Sequence, residues 1–450
     1  MTGAEWDVVG LSEEQRDIQQ LCRDFAKNEI RPIAAEVDEA DGEMPWELWW
    51  KAGKLGLTSF MLPEEYGGGG LTDTVTQCIV QEELCHGCAG LGNLITSGGF
   101  YAAPILEVGT GRQRSEWLTP IGGERPVLTT LALTEPGAGS DAAAIVTRAV
   151  GSGDTYRLSG QKTWASNAGL AELYVVYATI NPGAGARGVT AFLVRKDDPG
   201  VRFGQLMRRM GQRAIQSREI FLDNVELPRE RLLGEEGKAF ASLMRTFDHS
   251  RIVLAAAATG IARAALDYAL QYAGERSSFG KTIVQHQAVG FRLADMATRI
   301  DAARLLTWRA AKLYDAGVPV AKEAAMAKLS ASETAMWCTW AAVQTLGGWG
   351  YSREFPVEKW MRDAKLEEIE EGTSDIQRLV ISRRLASRVT AKLHGVVPVG
   401  ASREGFRGPQ QLSERSDWVE KLEEPAIGAQ QHRAGCLEER VRSRVGDASV

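Results

Sequence analysis

The feature that most constrains the fold is a change of hydrophobic period near Pro126. Before it, apolar residues recur at helical intervals. After it come short segments rich in β-branched or aromatic residues, separated by Gly, Pro, Asn or Asp, and from Glu235 long helical segments return. The pattern predicts an α+β chain with an N-terminal helical domain, a central antiparallel β-barrel or sandwich and a C-terminal helical bundle.

The predicted boundaries follow the changes of period. We place the three domains at residues 1–125, 126–234 and 235–393. Residues 394–450 are rich in Arg, Glu, Gln, Ser and Gly with little periodicity, and we expect a flexible tail there. Predicted helices cover residues 11–37, 46–55, 73–88, 92–108, 111–121, 238–275, 284–317, 319–346, 355–366 and 373–393. Predicted strands cover residues 127–133, 145–150, 156–164, 173–179, 189–194, 201–207 and 219–225.

Charge and hydropathy narrow the class of protein. The 450 residues carry a formal net charge of -6 with no Lys/Arg block, which argues against nucleic-acid binding. No apolar run approaches the roughly 20 residues that cross a bilayer, so membrane insertion is not expected. Residues 1–13 have neither a basic region nor an apolar one and carry acids. We expect a cytoplasmic, bacterial enzyme without a signal or transit peptide.

Two short motifs suggest cofactor sites that their context does not support. Cys85 and Cys88 flank a histidine, but a closed zinc site needs four ligands and no second pair is present, so buried thiols on a helix are favoured and no metal is expected. Residues 183–188 match the dinucleotide fingerprint G-x-G-x-x-G. A strand follows them where that fingerprint requires a helix, which favours a hairpin loop.

The acidic stretch at residues 367–371 runs into a helix start. Gly372 permits a tight turn, and Ser374 with Gln377 has the spacing of a capping box, so Glu371 is predicted to be a carboxylate held immediately ahead of a helix. Such a carboxylate is suited to act as a base. Taken alone, the stretch is also typical of a solvated acidic face.

Four motifs in order resemble the acyl-CoA dehydrogenase family over residues 11–393. Residues 132–141 read ALTEPGAGSD, and residues 276–281 read RSSFGK, followed by HQAV at 286–289 and LADM at 293–296. Residues 344–351 read QTLGGWGY and precede MRDAK at 361–365 and the Glu371 turn. The resemblance implies an FAD enzyme that oxidises a saturated acyl-CoA to the trans-2-enoyl-CoA, with Glu371 as the catalytic base.

The resemblance also implies binding residues and partners. Those that would border FAD are Leu131, Leu133, Thr134, Gly139, Ser140, Trp164, Ser166, Arg276, Phe279, Gln287, Gln344, Gly347, Gly348, Thr373 and Asp375. Those that would border the thioester are Ser140, Phe247, Asp248, Arg251 and Gly372. In the family, the group from Arg276 to Gly348 reaches the FAD of a neighbouring subunit, which implies a homotetramer built from two dimers, and an electron-transferring flavoprotein is the implied electron acceptor.

Single residues among these have plain structural alternatives. Without the family, Trp164 is equally typical of a core residue. For Arg276 composition alone favours a surface residue, although a guanidinium can bind phosphate oxygens in pairs. Arg251 would serve equally in an ion pair that joins two helices. Ser250 occupies the position at which some relatives carry the base, so that site cannot serve here.

One departure from the family lies beside the predicted base. Many relatives have an aromatic residue where this chain has Glu370. If both carboxylates share the pocket, like-charge repulsion would raise one pKa, whereas a solvent-facing Glu370 would have little effect. Two rival functions are an oxygen-using flavin monooxygenase or oxidase of the same fold and a non-catalytic acyl-CoA-binding protein. The acyl chain length stays open, with residues 91–106 the expected floor of the acyl pocket.

Overall fold

The computed structural model describes residues 10–393, with side chains up to residue 387. The predicted flexible tail and Cys436 lie outside the described residues. Twelve α-helices are present in that range: α1 Glu13–Phe25, α2 Ala34–Ala40, α3 Trp46–Lys54, α4 Thr74–Gly87, α5 Ala89–Thr96, α6 Gly98–Val108, α7 Gly111–Leu118, α8 Ala239–Glu275, α9 Gln287–Asp315, α10 Ala321–Leu346, α11 Val357–Glu367 and α12 Ser374–Leu393. The predicted succession of helices, strands and helices is confirmed.

The N-terminal helices begin at the residues that the sequence favours. Ser12 and Gln15 form the predicted capping box of α1, and the Asp73 carboxylate accepts from the backbone N–H of Thr76 at the start of α4. The predicted helix over residues 92–108 is instead two helices, α5 and α6, because the chain breaks at Ser97. Both α5 and α6 contact α8.

The central strands form one mixed sheet. The strands are β1 Thr129–Ala132, β2 Arg148–Ser152, β3 Thr155–Ser166, β4 Leu173–Thr179, β5 Val189–Arg195, β6 Val201–Phe203, β7 Ser217–Pro228 and β8 Leu232–Leu233. Their order is β6-β7-β3-β2-β4-β5-β8, with β1 beside β4. The β1–β4 pairing is parallel, as is the single β2–β4 pair, and the end strands β6 and β8 do not pair with each other. The expected antiparallel barrel or sandwich is therefore corrected to one open, mostly antiparallel sheet.

Two irregular places in this sheet bear on the earlier predictions. The loop that contains residues 183–188 joins the antiparallel strands β4 and β5, so the predicted hairpin loop is confirmed and the dinucleotide fingerprint is accidental. The β3–β7 register shifts between Lys162 and Ala165, which places Trp164 in a bulge.

The C-terminal helices pack around α8. This helix contacts α4, α9 and α10, and its buried face is largely alanine, which allows close approach of helix backbones. By length and composition α8 could cross a bilayer, but 89% of its most apolar window is buried inside the protein, as in a core helix.

Buried charges tie α4 to the C-terminal bundle. Glu83 accepts from Arg263 of α8 and from Arg23 of α1, the latter at 2.8 Å, and Glu82 accepts from Arg263 and Arg304. Buried carboxylates are tolerated when they are paired and hydrogen-bonded in this way. The network keeps α4 in register with α8 and α9.

The cysteine motif contributes to packing. Cys85 and Cys88 are buried free thiols, and His86 Nε2 lies 3.0 Å from Asp267 Oδ2. Over residues 10–393, no cluster of three or more His, Cys, Asp or Glu side chains is arranged to ligate a metal.

Candidate active site

The predicted base lies in a strained turn between α11 and α12. Residues 368–373, called here the acidic turn, connect these helices, and Glu371 has φ +51° while Gly372 has φ +97°. A non-glycine residue in the left-handed region is uncommon and is stabilised only by its surroundings. The expected role of Gly372 in permitting the turn is confirmed, and the positive φ of Glu371 itself was not predicted.

The cap of α12 differs from the prediction. Thr373, rather than Ser374, is the N-cap residue, because its Oγ1 accepts from the backbone N–H of Ile376 at 3.3 Å. The Ser374 hydroxyl is buried without a partner among the described residues, and the Gln377 amide donates to the carbonyls of Glu371 and Gly372. The predicted Ser374–Gln377 capping box is therefore wrong, since the Ser374 hydroxyl accepts from no backbone N–H of the described residues and the Gln377 amide binds the carbonyls of the acidic turn instead of the backbone N–H of the capping residue.

Side chains from three helices bind the two carbonyl groups of the turn. Arg251 Nε of α8 donates to the Glu371 carbonyl at 3.0 Å, and Lys328 Nζ of α10 donates to the Gly372 carbonyl at 3.0 Å. Gln377 Nε2 of α12 donates to the same carbonyls at 3.3 and 2.7 Å. These bonds stabilise the strained backbone and fix the position of the Glu371 main chain from which its carboxylate extends.

The Glu371 carboxylate is half-buried and hydrogen-bonded. Ser250 Oγ of α8 donates to its Oε2. Burial raises the pKa of Glu371, and the Ser250 hydrogen bond and the positive charges of Arg251 and Lys328 lower it in part, leaving a net rise. A carboxylate with a raised pKa is a stronger proton acceptor than one in water.

Glu370 shares this environment. Its Oε1 is buried without a hydrogen-bond partner among the described residues, and burial, followed by repulsion from Glu371, raises the pKa of Glu370 to about 7. Of the two cases weighed for this residue, the structure supports the one in which the carboxylates interact. Behind it Glu367 is fully buried and accepts from Gln212 Nε2 at 2.8 Å, and burial raises its pKa well above the usual range.

The predicted thioester residues on α8 lie close to the base. Phe247 stacks on Phe100 of α6 with ring centroids 5.9 Å apart, and the Arg251 guanidinium lies 5.4 Å from the Phe247 ring. Asp248 lies 3.7 Å from Arg251, and burial raises the pKa of its carboxyl. The ion pair of Arg251 with Asp248 lies within α8, so it is not the pair between two helices that the sequence also allowed, and the same guanidinium links α8 to the turn by donating to the Glu371 carbonyl.

A buried ion pair stabilises the glycine-rich loop that follows β1. Lys162 Nζ lies 2.7 Å from Glu135 Oε1 and donates to the Leu133 carbonyl at 3.0 Å, and the Glu135 carboxylate also accepts from the backbone N–H groups of Val146 and Thr147. Gly139 and Ser140 at the loop tip are exposed, and a Cβ at Gly139 would meet open space. Leu131 and Thr134 are half-buried beside the buried Leu133.

Trp164 is not a core residue. Its side chain is 60% exposed and its φ is +55°, an outlier for a bulky residue. The bulge therefore presents a flat aromatic face outward beside the exposed Ser166, whose carbonyl accepts from Thr130 Oγ1 at 2.7 Å.

The remaining predicted FAD residues lie on the surface of the helical bundle. Arg276 is exposed at the end of α8, and Phe279 is 96% exposed with φ +50° at the tip of a hairpin formed by β9 Ser277–Ser278 and β10 Lys281–Thr282. Gln287 opens α9, and Gln344, Gly347 and Gly348 are exposed at the end of α10. Arg292 Nη1 lies 3.4 Å from Thr345 Oγ1, which brings these two helix ends together.

Family models match almost the whole described chain. The N-terminal, middle and C-terminal domains of acyl-CoA dehydrogenase match residues 12–124, 130–225 and 237–386. The chain belongs to the acyl-CoA dehydrogenase family. Members of this family are FAD-dependent oxidoreductases that act on acyl-CoA.

Individual relatives agree with this assignment. The short-chain specific acyl-CoA dehydrogenase of Bos taurus is 44% identical over 382 residues, 84% of this chain and 92% of the relative. The butyryl-CoA dehydrogenase of Megasphaera elsdenii is 38% identical with a TM-score of 0.81, covering 84% of this chain and 99% of that one. A chain from the structural work on the electron transferring flavoprotein of Acidaminococcus fermentans is 41% identical with a TM-score of 0.81, covering 84% and 98%.

The residues present fit the FAD that acyl-CoA dehydrogenases carry. An exposed, strained tryptophan offers a surface for a flat ring, and the small residues of the loop at 136–140 leave room above them. The exposed Arg276 has no ion-pair partner within residues 10–387, so its guanidinium is available to a pyrophosphate. Trp164 and Arg276 lie on separate parts of the chain, Trp164 on the sheet and Arg276 on the helical bundle.

Several side chains around the predicted base were missed by reasoning from the sequence. Ser250 was expected only as a position that cannot supply a base, whereas its hydroxyl donates to the Glu371 carboxylate. Lys328 and Gln377 were not assigned to the site, and Asn93 and Gln212, which bind Glu367, were also missed. Lys328 did leave a signal, because it is a charged residue within an alanine-rich stretch of α10.

Proposed function

We propose that the protein removes the α- and β-hydrogens of a saturated short-chain acyl-CoA, giving the trans-2-enoyl-CoA, with Glu371 as the base that takes the α-proton. The observation that carries this proposal is the Glu371 carboxylate, half-buried in a strained turn and bound by Ser250. The positive φ supports the role, because strain of this kind concentrates at functional positions.

The chemistry requires a proton acceptor beside the α-carbon. The α-proton of a thioester is weakly acidic, and its removal becomes feasible when the β-hydrogen leaves as a hydride at nearly the same time. FAD, when bound, accepts that hydride. Burial by an apolar acyl chain would raise the pKa of Glu371 further, which strengthens the base.

A donor for the thioester carbonyl is available in the turn itself. The backbone N–H of Glu371 donates to no acceptor among the described residues. A free N–H aimed at a developing negative charge stabilises the enolate-like transition state. The hydrogen bonds from Arg251, Lys328 and Gln377 to the two turn carbonyls support this role, because they orient the neighbouring peptide groups.

We assign the FAD contacts to two groups of side chains. One group lies on the sheet, the loop after β1, the acidic turn and the first turn of α12: Leu131, Leu133, Thr134, Gly139, Ser140, Trp164, Ser166, Thr373 and Asp375. The other lies on the bundle surface and would reach the FAD of a neighbouring subunit: Arg276, Phe279, Gln287, Gln344, Gly347 and Gly348. The thioester would lie against Ser140, Phe247, Asp248, Arg251 and Gly372.

The preference for a short acyl chain rests on the relatives and on the pocket wall. Two of the relatives named above are short-chain and butyryl-CoA dehydrogenases. On α5 and α6, Asn93, Ser97 and Phe100 are half-buried while most of their neighbours are buried, so they share one accessible face. The stacked pair of Phe100 and Phe247 offers a bulky limit to the pocket on this face.

We further propose a homotetramer, reoxidation by an electron-transferring flavoprotein, and a cytoplasmic location. Phe279, Trp349 and Tyr351 are large apolar side chains exposed on the bundle surface, which suits burial against a second copy of the chain. The likeness to a chain from the electron transferring flavoprotein work supports the acceptor. Relatives in Bacillus subtilis (strain 168) support the location.

The test is anaerobic reduction of the purified flavoprotein by butyryl-CoA, followed as bleaching of the flavin band. Glu371→Gln should keep the yellow cofactor and lose turnover. The matched control is Glu368→Gln, which changes a carboxylate of the same turn that pairs with Lys365 at 2.6 Å. Native-like bleaching of Glu371→Gln would refute the assignment. Oxygen consumption during turnover would favour the oxidase, and a protein that stays colourless with FAD would favour a binding protein.

A further inference from the structure

Lys328 is a buried ammonium in the wall of the site. It lies on α10 with 1% of its surface exposed, and its Nζ donates to the Gly372 carbonyl at 3.0 Å. A lysine in such surroundings is costly unless its charge meets compensating groups. The compensation here comes from the acidic turn and the end of α11.

The charged groups around Lys328 come from several elements. Glu367, Glu370 and Glu371 attract its ammonium, and Arg251 of α8 opposes it. Arg209, in the loop before β7, faces Glu370, and Asp248 of α8 faces Arg251. Burial lowers the pKa of Lys328, and the three carboxylates raise it in part.

Lys328 acts on all three carboxyl groups. Its charge lowers the pKa values of Glu367, Glu370 and Glu371, against burial, which raises them. Ser250 and Arg251, by contrast, affect Glu371 without acting on Glu370. Removing Lys328 would therefore change the charge balance of the whole acidic turn.

We propose that Lys328 is a positioning residue for Glu371: it binds the Gly372 carbonyl and places a positive charge beside the turn, which keeps the base ionised and correctly oriented. This inference rests on the proposed role of Glu371. Lys328 acts through the turn and through its electric field, because it makes no hydrogen bond to the Glu371 carboxylate within the described residues.

The backbone strain explains why such a residue is needed. Glu371 and Gly372 both have positive φ, and a relaxed turn would rotate their peptide groups. Arg251 and Gln377 bind the Glu371 carbonyl, whereas the Gly372 carbonyl depends on Lys328 and Gln377. Without Lys328, Gln377 alone would have to hold the second carbonyl.

The test measures the rate of anaerobic flavin bleaching by butyryl-CoA as a function of pH in Lys328→Met, Lys328→Arg and native protein. The acid limb of this profile is its low-pH part, where the rate falls as Glu371 becomes protonated. In Lys328→Met the loss of a neighbouring positive charge raises the pKa of Glu371, so the acid limb should move to higher pH by about one unit. At a pH below that limb the rate should fall about ten-fold. Lys328→Arg keeps the charge and should return the limb towards its native position.

The matched control is Lys322→Met. Lys322 opens the same helix and pairs with Glu323 at 2.9 Å, away from the acidic turn, so its profile should match the native one. The flavin-to-protein ratio and the Tm are measured for every variant. A purely structural role would lower Tm or flavin content in Lys328→Met and leave the acid limb in place.

The outcomes separate this inference from the proposed function. If native protein bleaches and Lys328→Met has an unmoved acid limb, the inference is wrong and the proposed function stands. If no acyl-CoA bleaches the native protein, both the inference about Lys328 and the proposed function are wrong. If Lys328→Met does not fold, Lys328→Gln, which keeps a neutral donor for the Gly372 carbonyl, must show the same shift, and an unmoved limb there overturns the inference.

Discussion

Replacing Ser250 by alanine should move the acid limb of the pH profile to higher pH. Ser250 Oγ donates to the Glu371 carboxylate, and a hydrogen bond to an ionised group contributes about 1.5–3 kcal/mol. At about 1.36 kcal/mol per pKa unit, losing it would raise the pKa of Glu371 by about one to two units. The sign follows from the donor: a hydroxyl that donates to the carboxylate favours the charged form, so its removal favours the protonated form. The rate should fall below the new pKa and approach the native value above it.

The assay is stopped-flow reduction of the flavin by butyryl-CoA under anaerobic conditions across the pH range. Ser250→Thr keeps a hydroxyl and should retain most of the native profile. Ser242→Ala is the matched control, because Ser242 lies on the same helix and donates to Glu107 at 2.7 Å, away from the acidic turn. An acid limb that stays in place in Ser250→Ala, or moves to lower pH, would refute this account of the base.

Three further predictions concern the cofactor, the turn and the core. Arg276→Ala should purify with a lower flavin-to-protein ratio, measured by absorbance, and an unchanged ratio would count against a pyrophosphate contact. Gly372→Ala forces a side chain into φ +97° with its Cβ 2.9 Å from Gln377 Nε2, so bleaching should slow and Tm should fall, at a cost of about 1–3 kcal/mol; a native rate would contradict the need for this turn. Burial raises the pKa of Glu83, but Arg263 and Arg23 lower it to about 2, so its stabilising contribution is present above pH 4.5 and is lost as the pH falls to about 2. Glu83→Gln should therefore have a free energy of unfolding about 3–5 kcal/mol lower than that of the native protein at neutral pH. Between pH 4.5 and about 2 its free energy of unfolding should fall less than that of the native protein, as measured by chemical denaturation at each pH.

The helices and most strands could be predicted because their signals are local. Apolar spacing marks α4, α8 and α10, and the Ser12 capping box uses residues three positions apart. The parallel β1–β4 pairing could not be predicted this way, because it depends on how a distant strand enters the sheet. The cap of α12 was predicted one residue late, since Thr373 and Ser374 are chemically equivalent as caps and only the turn geometry decides between them.

The candidate base was predictable and its ionisation was not. A Glu-Gly-Thr turn ahead of a helix is visible in the sequence, but the groups that set the pKa of Glu371 lie far from it along the chain, on α8 and α10. Burial raises the pKa of Glu371, whereas Ser250 and Arg251 of α8 and Lys328 of α10 lower it, so its pKa is a balance between burial and side chains from two distant helices. Glu370 adds a second ionisable group with a pKa of about 7 directly before the base. A relative with an aromatic residue at that position lacks this carboxyl group. The pKa of its base would therefore be set by different neighbouring charges, even with the same Glu-Gly-Thr turn. We therefore expect the pH profile of this protein to depend on tertiary contacts that the shared motif does not encode.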